Sequence, residues 1–292
     1  MDTALGKQEE VGVDWLTITC TAPTMAKEWA SAYDAVRAQH DGIGFFEDNI
    51  SLLGYHGSKI GNLFVGQRRD GFMARLTSAW ADNYGWMFSP HIAHTTRIDC
   101  QVTFNFANPR PHMAADIYAH LLKYKPANGR KAQASLVVNS KGGSTVYVGA
   151  RSSQWYGRIY DKGVESGTQA PGTLWRYEVE AKAEAAEAVA LALYGGDNVG
   201  EASQSVVWQF FNRLHIPLPF TDVPGCVLAR PEARSADLLR TIAWLEGPVA
   251  EAVRKVTDAV GWERAAIAVY NKCTLTPPSC DILEVLTREC VR

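Results

Sequence analysis

The sequence is poor in cysteine, and its cysteines lack the spacing that would give them a structural role. The six present (Cys20, Cys100, Cys226, Cys273, Cys280, Cys290) form no C-x-x-C pair. This argues against a zinc site or a disulfide frame and for free thiols in a reducing compartment. No stretch approaches the roughly 18 consecutive apolar residues of a membrane helix. The opening MDTALGKQEEVG has no apolar signal core, so neither a span nor a secretory peptide is predicted and a cytoplasmic protein is expected. A phosphate-cradling P-loop is missing, which excludes an encoded nucleotide-driven motor. So are a nucleophile-elbow serine and a Cys–His hydrolase signature. An excess of one charge is missing too: the formal net charge is -2, so the chain is no general polycation.

What is present has the composition of a globular protein, 47% hydrophobic and 21% charged over 292 residues, enough for one large domain or two ordinary ones. The mean charge hides a local imbalance. Between Arg97 and Lys182 there are twelve Lys and Arg against six Asp and Glu, so this block stands at +6 and the remainder at -8. A basic centre in an acidic protein suggests a localised anion site.

Residues 1–11 are polar and read as loose. VDWLTIT (13–19) reads as a strand, MAKEWASAYDAVRA as a helix, and IGFFED, ISLLGYHG, NLFVGQ and GFMARLTS as short strands, followed by a short helix over 79–87. The order then begins again: a strictly alternating strand (94–106), a helix opened by proline (111–124), strands at 132–139, 144–150, 154–162 and 174–182, and an alanine-rich helix. The expected fold is α+β, with antiparallel sheets flanked by helices, from a duplicated strand-helix-strands unit. Residues 1–215 are read as one domain with halves 11–90 and 94–195. A proline-rich boundary separates it from a small helical module over 226–292, whose Leu238, Leu239, Ile242, Leu245, Val249 and Val253 share a helix face.

Side chains alternate across a strand, so each strand divides into two faces. Ile98, Cys100, Val102, Phe104 and Phe106 oppose Arg97, Asp99, Gln101, Thr103 and Asn105. Trp155 and Ile159 oppose Gln154, Tyr156, Arg158, Tyr160 and Lys162. Trp175, Tyr177, Val179 and Ala181 oppose Arg176, Glu178, Glu180 and Lys182. If these three strands are neighbours, Asp99, Tyr160, Glu178 and Glu180 meet on one face. Such a group suits metal-assisted phosphodiester chemistry: carboxylate oxygens bind Mg²⁺ or Mn²⁺, and an activated tyrosine hydroxyl attacks phosphorus. Arg97, Arg176 and Lys182 on the same face would grip flanking phosphates. The alternative is an ordinary solvated sheet face.

The segments VDWLTIT, RIDCQVTF, STVYVGARSSQWYGRIYDKG and WRYEVEAK, in this order, resemble the Rep_trans-type replication initiation factors. These are the rolling-circle initiators of bacterial plasmids and filamentous phages, related to relaxases of conjugative elements. The likeness runs from about residue 11 to 195 and rests on Arg97-Ile98-Asp99, on Gly149 to Ser153 with Arg158-Ile159-Tyr160-Asp161-Lys162, and on Arg176-Tyr177-Glu178-Val179-Glu180. Ala150 stands where the family often has serine. The resemblance implies an origin-specific DNA nickase and strand transferase. Tyr160 would form a 5′-phosphotyrosine bond and free a 3′-OH primer. Asp99, Glu178 and Glu180 would hold the metal, and Arg158, Lys162 and Arg151 would neutralise phosphates. It also implies origin DNA as partner, a homodimer and an encounter with a host helicase.

Tyr156, four residues before Tyr160, shares its face and is the rival nucleophile, or a platform for an unstacked base. His91 and His94 lack the His-hydrophobe-His pattern of the other large relaxase class and read as loop or core. Trp15, Trp155 and Trp175 fall on apolar faces and read as core. The competing function is a DNA-binding module that recognises an origin or operator without cutting it.

Overall fold

The computed structural model describes residues 6–21, 23–40, 46–125, 133–194 and 198–220, with Thr257. The chain divides into two compact units, Met1–Pro231 and Glu232–Arg292. The helical module expected over 226–292, with its Leu238-to-Val253 stripe, lies outside the described residues.

The elements of the first unit follow in chain order: β1 (Lys7–Cys20), α1 (Pro23–Gln39), β2 (Phe46–Leu52), β3 (Tyr55–Ile60), β4 (Leu63–Arg68), β5 (Gly71–Thr77), α2 (Ala79–Tyr84) and a 3₁₀ segment (Gly85–His94). Then come β6 (Thr95–Asn105), α3 (Met113–Lys123), β7 (Ala134–Val138), β8 (Ser144–Val148), β9 (Trp155–Asp161), α4 (Lys162–Ser166), β10 (Leu174–Lys182), α5 (Glu184–Tyr194) and α6 (Val199–Asn212). The α+β expectation holds. All ten strands join one sheet in the order β2-β3-β4-β5-β1-β6-β10-β9-β8-β7, and every pairing is antiparallel.

That order is the expected duplication seen in three dimensions. In each half a first strand is followed by a helix and four strands, the last of which returns to pair with the first: β5 with β1, and β10 with β6. The halves then join through β1 and β6. The middle of the sheet is therefore built from residues far apart in sequence.

Helices α1, α3, α5 and α6 lie on one side. Trp29, Tyr33 and Val36 of α1, Ile117 and Leu121 of α3, Val189 and Leu193 of α5 and Val206, Val207, Phe210 and Phe211 of α6 form a single core with Ile98, Cys100, Val102, Trp175, Tyr177 and Val179 of the sheet. Burying each such side chain stabilises the fold by about 1.5–3 kcal/mol. Among the described residues the opposite side carries a small buried apolar cluster, Tyr55, Phe64 and Met73. The polar residues of β6, β9 and β10 fall on this side, away from α1, α3, α5 and α6.

Three local readings are corrected. Residues 7–11 are strand rather than loose chain, because β1 goes on pairing with β6, past a register shift between Gln8 and Glu10, as far as Lys7 opposite Asn105. Helix α6 was not expected. Its signals are Asn198, whose side chain accepts the Glu201 N–H at 3.1 Å, and the spacing of Val206, Val207, Phe210 and Phe211. Trp15 belongs to the polar side, opposite Asp99, because a register shift between Val13 and Trp15 interrupts the alternation.

The same bulge creates an unusual carboxyl. Asp82 Oδ1 accepts the Val13 N–H at 2.7 Å, and a Cβ on Gly12 would lie 2.3 Å from its Oδ2. Burial, with smaller contributions from Glu10 and Asp14, pushes Asp82 up to about 6. A carboxyl raised in the fold holds its proton more tightly there than in the unfolded chain. It therefore favours folding at low pH and loses that contribution as pH rises through about 4 to 6. Asp82→Asn keeps an acceptor for Val13 and removes the ionisation. Its melting temperature should match the parent near pH 4 and exceed it by a few degrees at pH 8 in thermal scans; equal values at both would refute this account.

Candidate active site

Three adjacent strands carry the site. Across β6 and β10, Asp99 faces Glu180, Gln101 faces Glu178 and Thr103 faces Arg176. Across β10 and β9, Glu180 faces Tyr156, Glu178 faces Arg158 and Arg176 faces Tyr160. Asp99, Tyr160, Glu178 and Glu180 thus share one face, as the alternation predicted, but the face is a closed ionic lattice rather than a solvated surface. Asp99 and Glu178 are each 1% exposed and Tyr160 is 7% exposed.

Each buried carboxylate is matched by a cation, as burial of charge demands. Asp99 takes both arms of Arg97, from Nε at 2.9 Å and Nη2 at 2.6 Å. Arg97 also reaches Glu180 at 3.1 Å, and Lys182 lies 2.6 Å from Glu180. Glu178 is paired with Arg158. Burial, reinforced by Glu178 and Glu180, outweighs Arg97 and pushes Asp99 up to about 7. Arg158 is held above its ordinary value: burial opposes this, and Glu178 overrides it.

The Tyr160 hydroxyl donates to Glu178 Oε2 at 3.4 Å. Burial first, and then the Glu178 charge, raise its pKa well above the ordinary phenol value, so the resting group is a protonated phenol. Arg158 and Lys162 stand 5.6 and 5.9 Å from its ring centre. A cleft of about 130 Å³ opens beside it, lined by Thr145, Tyr147, Arg158, Tyr160 and Glu165 among others. Lys162 begins α4 rather than ending a strand, because Asp161 caps that helix by accepting the Val164 N–H at 3.1 Å.

The remaining expected residues divide. Tyr156 stacks on Tyr147 with ring centres 5.8 Å apart, and exposed Arg151 lies 5.6 Å over its ring. Lys182 donates to the Arg151 carbonyl, tying this aromatic end to Glu180. Arg176 is 5% exposed and is engaged by Glu10, by Asp14 at 3.6 Å and by Thr103 Oγ1 at 2.9 Å. Its place is therefore an internal tie between β10 and β1, and as a DNA contact it is corrected. The residues not anticipated are Glu10, in the segment read as loose, Asp14, in the strand VDWLTIT, and Thr145 and Tyr147, whose alternation in STVYV was their only signal.

Residues 118–215 match the Rep_trans family of replication initiation factors. The resemblance read from the sequence is thereby found independently over about a third of the chain. The Rep_trans segment takes in Arg151, Tyr156, Arg158, Tyr160, Lys162 and all of β10, while Arg97, Asp99 and the first half lie before it. No curated protein matches the chain. Among solved structures, it is similar to a rolling circle replication initiator protein from Geobacillus stearothermophilus, at 18% identity and a TM-score of 0.49, over 70% of this chain and 85% of that one. Among the described residues no helix is long and apolar enough to cross a membrane.

Proposed function

We propose that the chain is a rolling-circle replication initiator that nicks origin DNA through Tyr160 and holds the cut strand covalently. The observation carrying this reading is the hydrogen bond from the Tyr160 hydroxyl to buried Glu178, at a cleft edge, with Arg158 on the same carboxylate. Glu178 is placed to take the phenol proton as Oη attacks phosphorus. The new Oη–P bond replaces the bond to the 3′ oxygen, which leaves with a proton as a 3′-OH. The phosphotyrosine keeps the energy of the broken diester for later resealing. Arg158 and Lys162 stabilise the phosphate charge that builds up in the transition state.

Asp99, Glu178 and Glu180 are the groups that would hold Mg²⁺ or Mn²⁺. Their donor chemistry suits such an ion, since all supply carboxylate oxygens, and Asp99 and Glu180 stand directly opposite. Among the described residues no three acidic, His or Cys side chains converge at ligand spacing, so a cation would compete with Arg97 for Asp99 and Glu180. When bound it would polarise a phosphoryl oxygen. Arg97's occupation of two carboxylates is also what a non-cutting DNA-binding protein would display, and that is the second reading.

The test incubates the protein with supercoiled DNA of its own replicon and Mg²⁺. Nicked circles with protein on the 5′ end support the enzyme, whereas binding without nicking supports the second reading. Because Asp99 must ionise to bind a cation, the Mg²⁺ concentration for half-maximal nicking should fall as pH rises from 6 through 8, and Asp99→Asn should remove that dependence. Full nicking in EDTA would eliminate the metal.

A further inference from the structure

On the side of the sheet away from α1, α3, α5 and α6, one register row crosses six strands: Lys59, Phe64, Arg75, Thr17, Arg97 and Lys182. Four of the six are basic, and the row continues out of the candidate site into the first half. Trp15 lies one row away on the strand between Arg75 and Arg97. The Arg75 guanidinium sits 4.8 Å from its ring centre and that of Arg97 4.3 Å. The indole therefore holds two guanidiniums on flanking strands, about 10 Å apart at the backbone by strand spacing. Its own N–H is fixed by donating to Thr17 Oγ1 at 2.7 Å.

The two arginines differ in one respect. Arg97 is neutralised by Asp99 and Glu180. Arg75 has no ion pair with a carboxylate among the described residues; its pKa is lowered, by burial first and then by the neighbouring Arg97 charge. A half-buried cation beside a second cation, with no acid of its own, is matched by an anion from outside the chain. An indole face that fixes the guanidinium leaves its N–H edge to bind a phosphate oxygen pair.

We propose that Arg75, positioned by Trp15, is a backbone-phosphate subsite for a single DNA strand that runs from the Tyr160 cleft across the seam onto the first half. The proposal rests on the nickase reading for its choice of polyanion. By register Arg75 lies four strands from Tyr160, about 19 Å across the sheet, and six residues along it, about 20 Å more in the perpendicular direction, so a strand several nucleotides long would engage both.

The test measures binding of a twenty-nucleotide oligothymidine to the full-length chain by fluorescence anisotropy at several NaCl concentrations. For single strands each phosphate contact contributes about 0.7 to the slope of log affinity against log salt. Arg75→Gln should lower that slope by about this amount and weaken binding several-fold at low salt, while Arg75→Lys restores the slope. Arg75→Met, which keeps the stem on Trp15, repeats the measurement should Arg75→Gln fail to fold by circular dichroism. An unchanged slope in a folded variant, or no binding by the parent, overturns the subsite. Tyr160 adduct formation is scored separately on replicon DNA. Its absence alongside a lowered slope would sink the nickase and leave the subsite standing.

Discussion

Tyr160→Phe should yield no covalent protein–DNA adduct, a loss of at least about a thousandfold, while origin affinity stays within about twofold of the parent. In the proposed nicking reaction the hydroxyl is the attacking atom, and the ring keeps its place against Arg158 and Lys162. The fold should tolerate the change, since the one hydrogen bond lost is the 3.4 Å contact with Glu178. Denaturing gels of end-labelled DNA give the answer. An adduct that survives in Tyr160→Phe and vanishes in Tyr156→Phe would move the nucleophile four residues back, to the ring stacked on Tyr147.

Glu178→Gln separates two opposing effects. The Glu178 charge raises the Tyr160 pKa, so neutralising it should make the phenol easier to ionise, visible as an earlier tyrosinate transition in an ultraviolet pH titration. If that charge were merely a burden, nicking would accelerate. We expect nicking to fall by roughly a hundredfold or more, the scale of a lost general base, because the variant has no carboxylate to accept the proton. Arg158 would also lose its buried partner, and unpairing a buried charge costs about 3–5 kcal/mol. Stability should therefore drop as well. A folded Glu178→Gln protein that nicks faster than the parent would remove Glu178 from the chemistry.

The sharing of a face by Asp99, Tyr160, Glu178 and Glu180 was legible because β6, β10 and β9 pair with one another without a register shift from Arg97 onward, so strict alternation predicts which side chains point together. That β10 lies between β6 and β9 was not legible, since adjacency across 80 residues is a tertiary fact that no periodicity encodes. Trp15 shows the method's limit: a one-residue bulge sends every later side chain of that strand to the other face. Glu10 was invisible for a related reason. A polar segment looks loose until the strand it pairs with supplies Gln101 and Arg176 as its partners. The ion pairing of the acids was likewise unreadable, because alternation gives a side and never a partner.

The antiparallel seam between β1 and β6 places the two halves in the relation that two identical subunits adopt about a twofold axis. The chain is in this sense a dimer written into one polypeptide, and covalent linkage releases it from having to be symmetric. Where the second half carries Arg176, Glu178, Arg158 and Tyr160 on β10 and β9, the corresponding β5 and β4 carry Met73, Arg75 and Phe64, two of them part of an apolar plug with Tyr55. A true dimer of this kind would have presented two reactive faces. This one presents a single ionic lattice around Tyr160, with a second half free to specialise in something else.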